Sequence, residues 1–529
     1  MVGRERQRLR RSPSRGNSTK GGRPGGLARC GPKHPAKMLE LQNYIDGKWV
    51  EAEGNRRIED RNPATGDVIA SVPASSRKDV LGAIEVAHRT FQQWRKVPAP
   101  KRAEILFRVG TLLNERKEDL ARKMTREMGK VLLEARGDVQ EGIDMAFYMA
   151  GEGRRAFGYT TPSELPNKFA MTVRDPIGVA GIITPWNFPM AIPTWKIFPA
   201  IVLGNTVVFK PASDTPMLAL ELVKIFEEAG LPPGVVNLVF GSGSEAGEVL
   251  LEDPRVRLIS FTGSNEVGRH VASRAGEGLK RISLELGGKN AITVMDDADL
   301  DLAVDGIVWS AFGTSGQRCT ACSRLIAHEA IHDELRDRLV ARIESLRLGD
   351  GLLETTDVGP VINQAAARRI DEYVGIGKAE GATLAVGGGI ATDGELQRGS
   401  FYRPSLFTGV RPDMRIAQEE IFGPVLSMIK VGSFDEAIAV NNSVTYGLSS
   451  SIFTQDVNRV FRAIRDLESG LLYVNAGTIG AEIHLPFGGT KGTGNGHREA
   501  GTAALDFFSE WKAVYVDYSG VLQRAQIDS

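Results

Sequence analysis

The chain has 529 residues, 42% of them apolar and 25% charged, an ordinary globular composition that excludes a collagen-like, fully disordered or disulfide-scaffold protein and leaves room for two large domains. The formal net charge of zero conceals an asymmetry: residues 1–37 hold 11 Lys and Arg against one acid, Glu5, and subtracting these from the 65 of each sign leaves 54 basic and 64 acidic residues in the body. An acidic body argues against a nucleic-acid surface on the folded part. With only Cys30, Cys319 and Cys322 and no apolar secretory leader, the expected setting is a reducing cytoplasm.

Residues 1–37 run through Arg4, Arg6, Arg8, Arg10, Arg11 and Arg15 to Gly22-Arg23-Pro24-Gly25-Gly26 with few apolar residues, which reads as disordered. An organelle transit peptide shares the Arg-rich, acid-poor composition but needs an amphipathic face that is absent here, and a nucleic-acid tail is a second alternative. The favoured reading is a spurious extension, with Met38 as the true start, because the folded pattern begins at Tyr44-Ile45-Asp46-Gly47-Lys48-Trp49. From residue 80 the pattern is helical, with Ile105, Leu106, Val109, Leu112 and Leu113 at three- and four-residue spacing. Gly178 to Gly204 holds one charge, Lys196, but Pro185, Pro189, Pro193 and Pro199 interrupt it, so it reads as buried strand, loop and helix and no membrane association is expected.

Short apolar strands then alternate with helical stretches: Val179–Ile183, Thr206–Phe209, Val235–Phe240, Leu258–Phe261 and Ile282–Leu284. A second series begins near Ala291–Val294 and continues through Leu325–Ala327, Leu426–Val431 and Ser451–Phe453. This rhythm predicts an α/β fold of two doubly wound parallel-sheet domains. Trp511–Val516 alternates like an edge strand, which invites pairing with another subunit. The expected division is residues 38–156 with 177–287 as one domain, 288–490 as a second, and 157–176 with 500–522 as a small β oligomerisation segment.

The most informative stretch is Gly316-Gln317-Arg318-Cys319-Thr320-Ala321-Cys322-Ser323-Arg324, which starts 31 residues after Glu285 of Glu285-Leu286-Gly287-Gly288-Lys289. It pairs a candidate thiol nucleophile with a candidate carboxylate base at the seam between the two α/β series, where pockets form. A lone cysteine is more often a small buried hydrophobe and a lone Glu a solvated strand end. The glycines after Glu285 weigh against the latter, since residues without Cβ admit close approach. Cys319 and Cys322 also form C-x-x-C, yet zinc needs about four ligands and no second pair exists, so no metal is expected. A redox dithiol stays open beside the reading of Cys322 as a bystander. Gly241-Ser242-Gly243-Ser244-Glu245-Ala246-Gly247 departs from the dinucleotide fingerprint, and Ser260 and Phe261 stand where its acid belongs, so by motif alone Gly243 and Gly247 mark a glycine-rich turn. Lys210 ends a strand, where a lone Lys is usually solvated.

Between Asn43 and Tyr518 the chain closely resembles the NAD(P)-dependent aldehyde dehydrogenases, on seven motifs in order: Pro185-Trp186-Asn187-Phe188-Pro189, Lys210-Pro211-Ala212-Ser213, Phe261-Thr262-Gly263-Ser264, Glu285-Leu286-Gly287-Gly288-Lys289, Gly316-Gln317-Arg318-Cys319, Glu420-Ile421-Phe422-Gly423-Pro424 and Pro486-Phe487-Gly488-Gly489. The resemblance implies an NAD or NADP cofactor, a cofactor-binding domain followed by a catalytic one, and a homodimer or homotetramer. It implies that Cys319 attacks the aldehyde to give a thiohemiacetal and then a thioester, that Glu285 activates the water that cleaves it, and that Asn187 with the Cys319 backbone N–H holds the oxyanion. Cofactor contacts are implied for Thr184, Pro185, Trp186, Lys210 and Ser213, for Gly243, Gly247 and Phe261, for Gly263, Ser264 and Gly287, and for Glu420 and Phe422 at the nicotinamide end. At Ser213 many NAD-preferring relatives place Glu; neutral Ser removes a repulsion toward a 2′-phosphate, so NADP is expected to be tolerated. Arg318, with Asn475–Ile483 and the end Tyr518 to Gln526, is similar to aminoadipate-semialdehyde dehydrogenases, and a guanidinium there would read a substrate carboxylate. His497 is an extra residue relative to the family pattern. A coenzyme-A-acylating enzyme would need Cys319 but no water-activating Glu285, and a non-catalytic protein of the fold would be expected to have lost Cys319, Glu285 or Asn187.

Overall fold

The computed structural model describes residues 38–527, and the expectations for residues 1–37 lie outside the described residues. Asp46 and Gly47 take left-handed φ values of 55° and 75°, the two positive-φ positions of a two-residue hairpin, and turn Asn43–Ile45 antiparallel onto Lys48–Val50. That hairpin edges a seven-stranded sheet whose order is Arg281–Glu285, Val256–Thr262, Val179–Ile183, Thr206–Lys210, Val236–Leu238, Asn43–Ile45, Lys48–Val50. The first five strands are parallel. Their chain order reverses between Val179–Ile183 and Val256–Thr262, which opens a crevice at the carboxyl ends of those two strands.

The second sheet also has seven strands: Thr383–Val386, Ser405–Thr408, Val425–Val431, Cys322–His328, Asn290–Val294, Ser449–Phe453, Leu471–Val474. All neighbours are parallel except Thr383–Val386, which runs antiparallel to Ser405–Thr408. The expectation of parallel sheets is therefore corrected at one edge of each, where strands from outside the βα alternation have been added. A three-stranded sheet of Leu39–Glu40, Val68–Pro73 and Arg57–Arg61 was not anticipated; its mixed charged and apolar residues carry no clear two-residue period.

Helices Arg77–Trp94, Ala99–Glu115, Lys117–Met128 and Leu132–Glu152 form the helical layer. Ile105, Leu106, Val109 and Leu113 are buried in one apolar core with Phe198, Phe209 and Phe226, while Leu112 sits at its margin. Gly178 to Gly204 is a buried strand, a loop and helix Ala191–Val202, as its prolines predict; no described helix is long and apolar enough to cross a membrane. Near the carboxyl end, Ser509–Asp517 pairs antiparallel with Lys168–Pro176 along its whole length and forms the outer strand of a three-stranded sheet, with Trp511 and Tyr515 exposed.

Candidate active site

The residues singled out from the sequence collect where the carboxyl ends of the first sheet face the strand beginnings of the second. Thr184-Pro185-Trp186-Asn187 follows Val179–Ile183, Lys210 ends its strand, Gly241–Gly247 follows Val236–Leu238, Thr262 ends Val256–Thr262 with Gly263-Ser264 after it, and Glu285 ends Arg281–Glu285. From the second sheet, Cys319 precedes Cys322–His328, and Glu420 and Phe422 precede Val425–Val431. One topological rule, that open α/β sheets hold ligands beyond their carboxyl ends, gathers segments far apart in sequence.

The loop that carries Cys319 is held under strain. Helix Leu300–Phe312 ends in Thr314, Ser315 and Gly316, all at left-handed φ of 51°, 56° and 70°, a costly conformation for a β-branched residue. Glu134 holds it there: its two carboxylate oxygens accept the Thr314 N–H at 2.8 and 2.9 Å, and Oε1 also accepts Arg318 Nη2 at 3.0 Å. A Cβ on Gly316 would lie 2.3 Å from the Gly423 carbonyl oxygen, and one on Gly288 would lie 2.4 Å from that of Cys319, so both positions need glycine. Asn290 Nδ2 donates to the Cys319 carbonyl at 2.7 Å. Cys319 is half-buried, and burial, with the charges of Glu420 and Glu285 behind it, pushes its thiol up to about 12. Cys322 is a free thiol in the core, donating to the Arg324 carbonyl oxygen at 3.3 Å.

Glu285 is buried, and neither of its carboxylate oxygens has a hydrogen-bond partner. Burial and then the nearby charge of Glu499 raise its pKa well above the usual carboxylate range, against the pull of Lys196 and Arg498. Lys196 is buried on helix Ala191–Val202, donating to Ser260 Oγ at 2.9 Å and forming an ion pair with Glu499. The sequence reading missed Glu499 and the role of Lys196. A signal existed for the lysine, since a single charge in a long apolar stretch has to find a partner once buried.

Cys319, Glu285, Arg318, Glu499 and Thr262 line one narrow pocket with the apolar walls Phe188, Ile192, Trp195 and Phe487, and with a further carboxyl group, Glu141. Asn187, next to Phe188 in the chain, is buried; Nδ2 donates to the Gln317 carbonyl at 3.0 Å, which leaves its second N–H available. Arg318 reaches the pocket with its Nε on Thr314 Oγ1 and Nη2 on Glu134, and its guanidinium lies 5.2 Å from the centre of the Phe188 ring.

The residues expected from the sequence to meet a cofactor follow the carboxyl ends of the first sheet's strands or precede strands of the second. Lys210 is buried rather than solvated, which corrects the simplest reading of a lone strand-end lysine; burial lowers its pKa to about 8, and it donates to the Pro211 carbonyl at 2.9 Å. Ser213 Oγ reaches the Gly241 carbonyl at 3.4 Å, so the two loops meet. Positions where a Cβ on Gly243 or Gly247 would stand face open space, and Ser264 caps helix Asn265–Glu277 from the surface. Trp186 meets Phe422 edge-on at 5.4 Å, and Phe422 itself has a left-handed φ of 60°. A Cβ on Gly287 would fall 2.1 Å from Glu420, whose Oε1 accepts the Gly288 N–H at 3.0 Å. The Phe261 side chain is in the core beneath Gly263, so a contact from this residue into the crevice would be through the backbone. The extra residue His497 packs its ring against Phe507 at 5.0 Å. An open glycine turn, a buried cation, and a Thr262 hydroxyl with no partner at the sheet's switch point are the features a dinucleotide requires, so these residues fit NAD(P).

Comparison with known proteins agrees with this geometry. Residues 49–514 match the sequence profile of the aldehyde dehydrogenase family. The chain is 42% identical over 475 residues to the alpha-ketoglutaric semialdehyde dehydrogenase of Bacillus subtilis, covering 90% of this chain and 97% of that protein, and 38% identical over 477 residues to the glutarate-semialdehyde dehydrogenase of Pseudomonas putida, covering 90% and 98%. Among solved structures, betaine aldehyde dehydrogenase from Staphylococcus aureus in complex with NAD+ superposes with a TM-score of 0.90 at 34% identity over 92% of this chain and 96% of that one. The chain belongs to the aldehyde dehydrogenase family.

Proposed function

We propose that the chain oxidises a carboxylated semialdehyde to the corresponding dicarboxylic acid, with NAD or NADP as acceptor, by covalent chemistry on Cys319. The observation that carries this reading is that Cys319, Glu285 and Arg318 line the same pocket, next to a crevice that fits the cofactor. Cys319 gives up its proton to solvent water and its sulfur adds to the aldehyde carbon, while the free N–H of Asn187 and the Cys319 backbone N–H receive the developing oxyanion. Burial and neighbouring carboxylates oppose the thiolate, so its formation is tied to occupancy of the site. When bound, the cofactor supplies a cationic nicotinamide ring that accepts hydride. Glu285, in its deprotonated form and without a competing partner, then takes a proton from water as it attacks the thioester on Cys319. Lys196 and Glu499 stand behind Glu285 and hold the charge balance through which that proton leaves.

Arg318 is proposed as the reader of the distal carboxylate. Names of relatives support it: the B. subtilis and P. putida proteins are named for semialdehydes of dicarboxylic acids. The test is NAD(P)H formation from protein beginning at Met38, across carboxylated semialdehydes and plain aldehydes with each cofactor. Carboxylated substrates are expected to lead, and NADP to be used within about a hundredfold of NAD in kcat/KM. Preference for uncharged aldehydes would remove the substrate assignment, and a larger NAD preference would remove the argument from Ser213.

Asn187→Ala is expected to lower kcat by about 10²–10³, the cost of one oxyanion donor, with little change in KM. A loss below about threefold would show that the Cys319 backbone N–H suffices. We further propose a homodimer or dimer of dimers in a reducing cytoplasm. Support comes from the free edge of Ser509–Asp517, the exposed Val457, Phe461 and Ile464 on helix Val457–Asp466, and a nucleophile that must stay a free thiol. Size measurement by light scattering should give two or four subunits; a monomer would refute the edge argument.

A further inference from the structure

Glu141 shares the pocket of Cys319 and has no part in the chemistry there. It lies on helix Leu132–Glu152 in a row of acids at Glu134, Asp138 and Glu141, spaced to share one helix face. The first two are committed to the protein: Glu134 to Thr314 and Arg318, Asp138 to buried Lys130 at 2.9 Å and the Ala191 N–H at 2.7 Å. The carboxyl of Glu141 makes no hydrogen bond or ion pair to a described residue, although it is half-buried in a pocket whose apolar walls include Phe188, Ile192 and Trp195. An unpaired carboxyl in such a place has a use only when the pocket is filled.

Arg318 alone is a poor receptor for a carboxylate. Its Nε and Nη2 are taken by Thr314 and Glu134, and the Glu134 charge balances its own, so the distal end of the pocket is close to neutral with Nη1 as the remaining donor nitrogen. We infer that Glu141 is a specificity-determining residue, whose protonated carboxyl group donates a hydrogen bond to the far carboxylate of the substrate beside Arg318. This rests on the carboxylated-substrate reading. The groups that face it set the proton. Burial and the charge of Asp138 raise its pKa to about 8, Arg318 and Lys130 oppose this, and Asp144 adds to it; Tyr473 approaches from strand Leu471–Val474, and Glu285, Glu499 and Cys319 line the same pocket. At neutral pH Glu141 is then a donor, and above its titration it becomes an anion that repels the substrate.

The experiment compares kcat/KM for glutarate semialdehyde with that for pentanal, which has the same chain length and no carboxylate, from about pH 6.5 to about pH 9. Steps at Cys319 and Glu285 are common to both substrates and cancel in the ratio. The wild-type ratio is expected to fall about tenfold per pH unit once Glu141 ionises, and Glu141→Gln, which keeps a donor but cannot ionise, is expected to give a flat ratio. A flat wild-type ratio, or a fall that persists in Glu141→Gln, overturns the inference; if that variant does not fold, Glu141→Met, which cannot ionise either, takes its place and is likewise expected to give a flat ratio. A wild-type preference for 4-aminobutanal over pentanal that Glu141→Gln abolishes would make Glu141 an ionised reader of cations and overturns it too. If pentanal is favoured over glutarate semialdehyde at every pH in both proteins, the substrate reading itself has failed, and the inference with it.

Discussion

Cys319→Ser is expected to lower NAD(P)H formation by at least about 10⁴-fold while leaving the fold and cofactor binding in place. The two side chains differ by one atom, so packing in the strained turn is little disturbed, and Glu134, Asn290 and Gly288 contact the backbone around position 319 rather than its sulfur. What changes is the nucleophile. Burial and the charges of Glu420 and Glu285 already push the thiol up to about 12, and a hydroxyl, intrinsically less acidic, would have no base strong enough to ionise it there. The check is turnover against the best aldehyde of the panel, with fluorescence titration of cofactor as the control. Cys322→Ser is the contrast, because Cys322 donates to the Arg324 carbonyl in the core and does not line the pocket of Cys319; it should cost stability rather than turnover. Retention of more than about a hundredth of wild-type activity by Cys319→Ser would remove Cys319 as the nucleophile and return the non-catalytic alternative to consideration.

The parts of this site that were legible in the sequence are those in which chemistry and backbone geometry coincide in one short run. Gly287 follows Glu285 because a side chain there would collide with Glu420, and Gly288 because one would collide with the Cys319 carbonyl. The motif therefore displays its own contacts. The alternation of apolar strands with helices gave the two sheets for a similar reason, since strands buried on both faces cannot hide their hydrophobicity. What escaped was isolated in the chain. Lys196 and Glu499 are 303 residues apart and meet only when the loop after Gly488 folds over Glu285. Glu134, Asp138 and Glu141 have the spacing of a solvated helix face, yet that face turns inward to hold the nucleophile loop, the Phe188 loop and the pocket. The antiparallel edges were missed because edge strands are short and answer to pairing partners rather than to local pattern.

Glu285→Gln should separate the two halves of the reaction. Addition to Cys319 does not need the carboxylate, so the variant is expected to form one equivalent of NAD(P)H per active site in a burst and then stall, with steady-state turnover reduced by about 10²–10⁴. Mass spectrometry of the stalled protein should find the acyl group on Cys319. The reasoning is electrostatic as well as chemical. Glu285 carries two buried oxygens without partners, and burial with the charge of Glu499 raises its pKa well above the usual carboxylate range. A base acts in its deprotonated form, so wild-type deacylation should climb as pH rises through that raised pKa and level off above it, and the amide variant should lose the climb. Lys196→Met removes the cation that favours ionised Glu285, so it should move the same climb to higher pH without a burst, a result that a purely structural role for the Lys196–Glu499 pair would not produce. A Glu285→Gln enzyme that turns over steadily with no burst and no adduct would mean that another group activates the water, and the nearest candidate, Glu499, would then be the residue to replace.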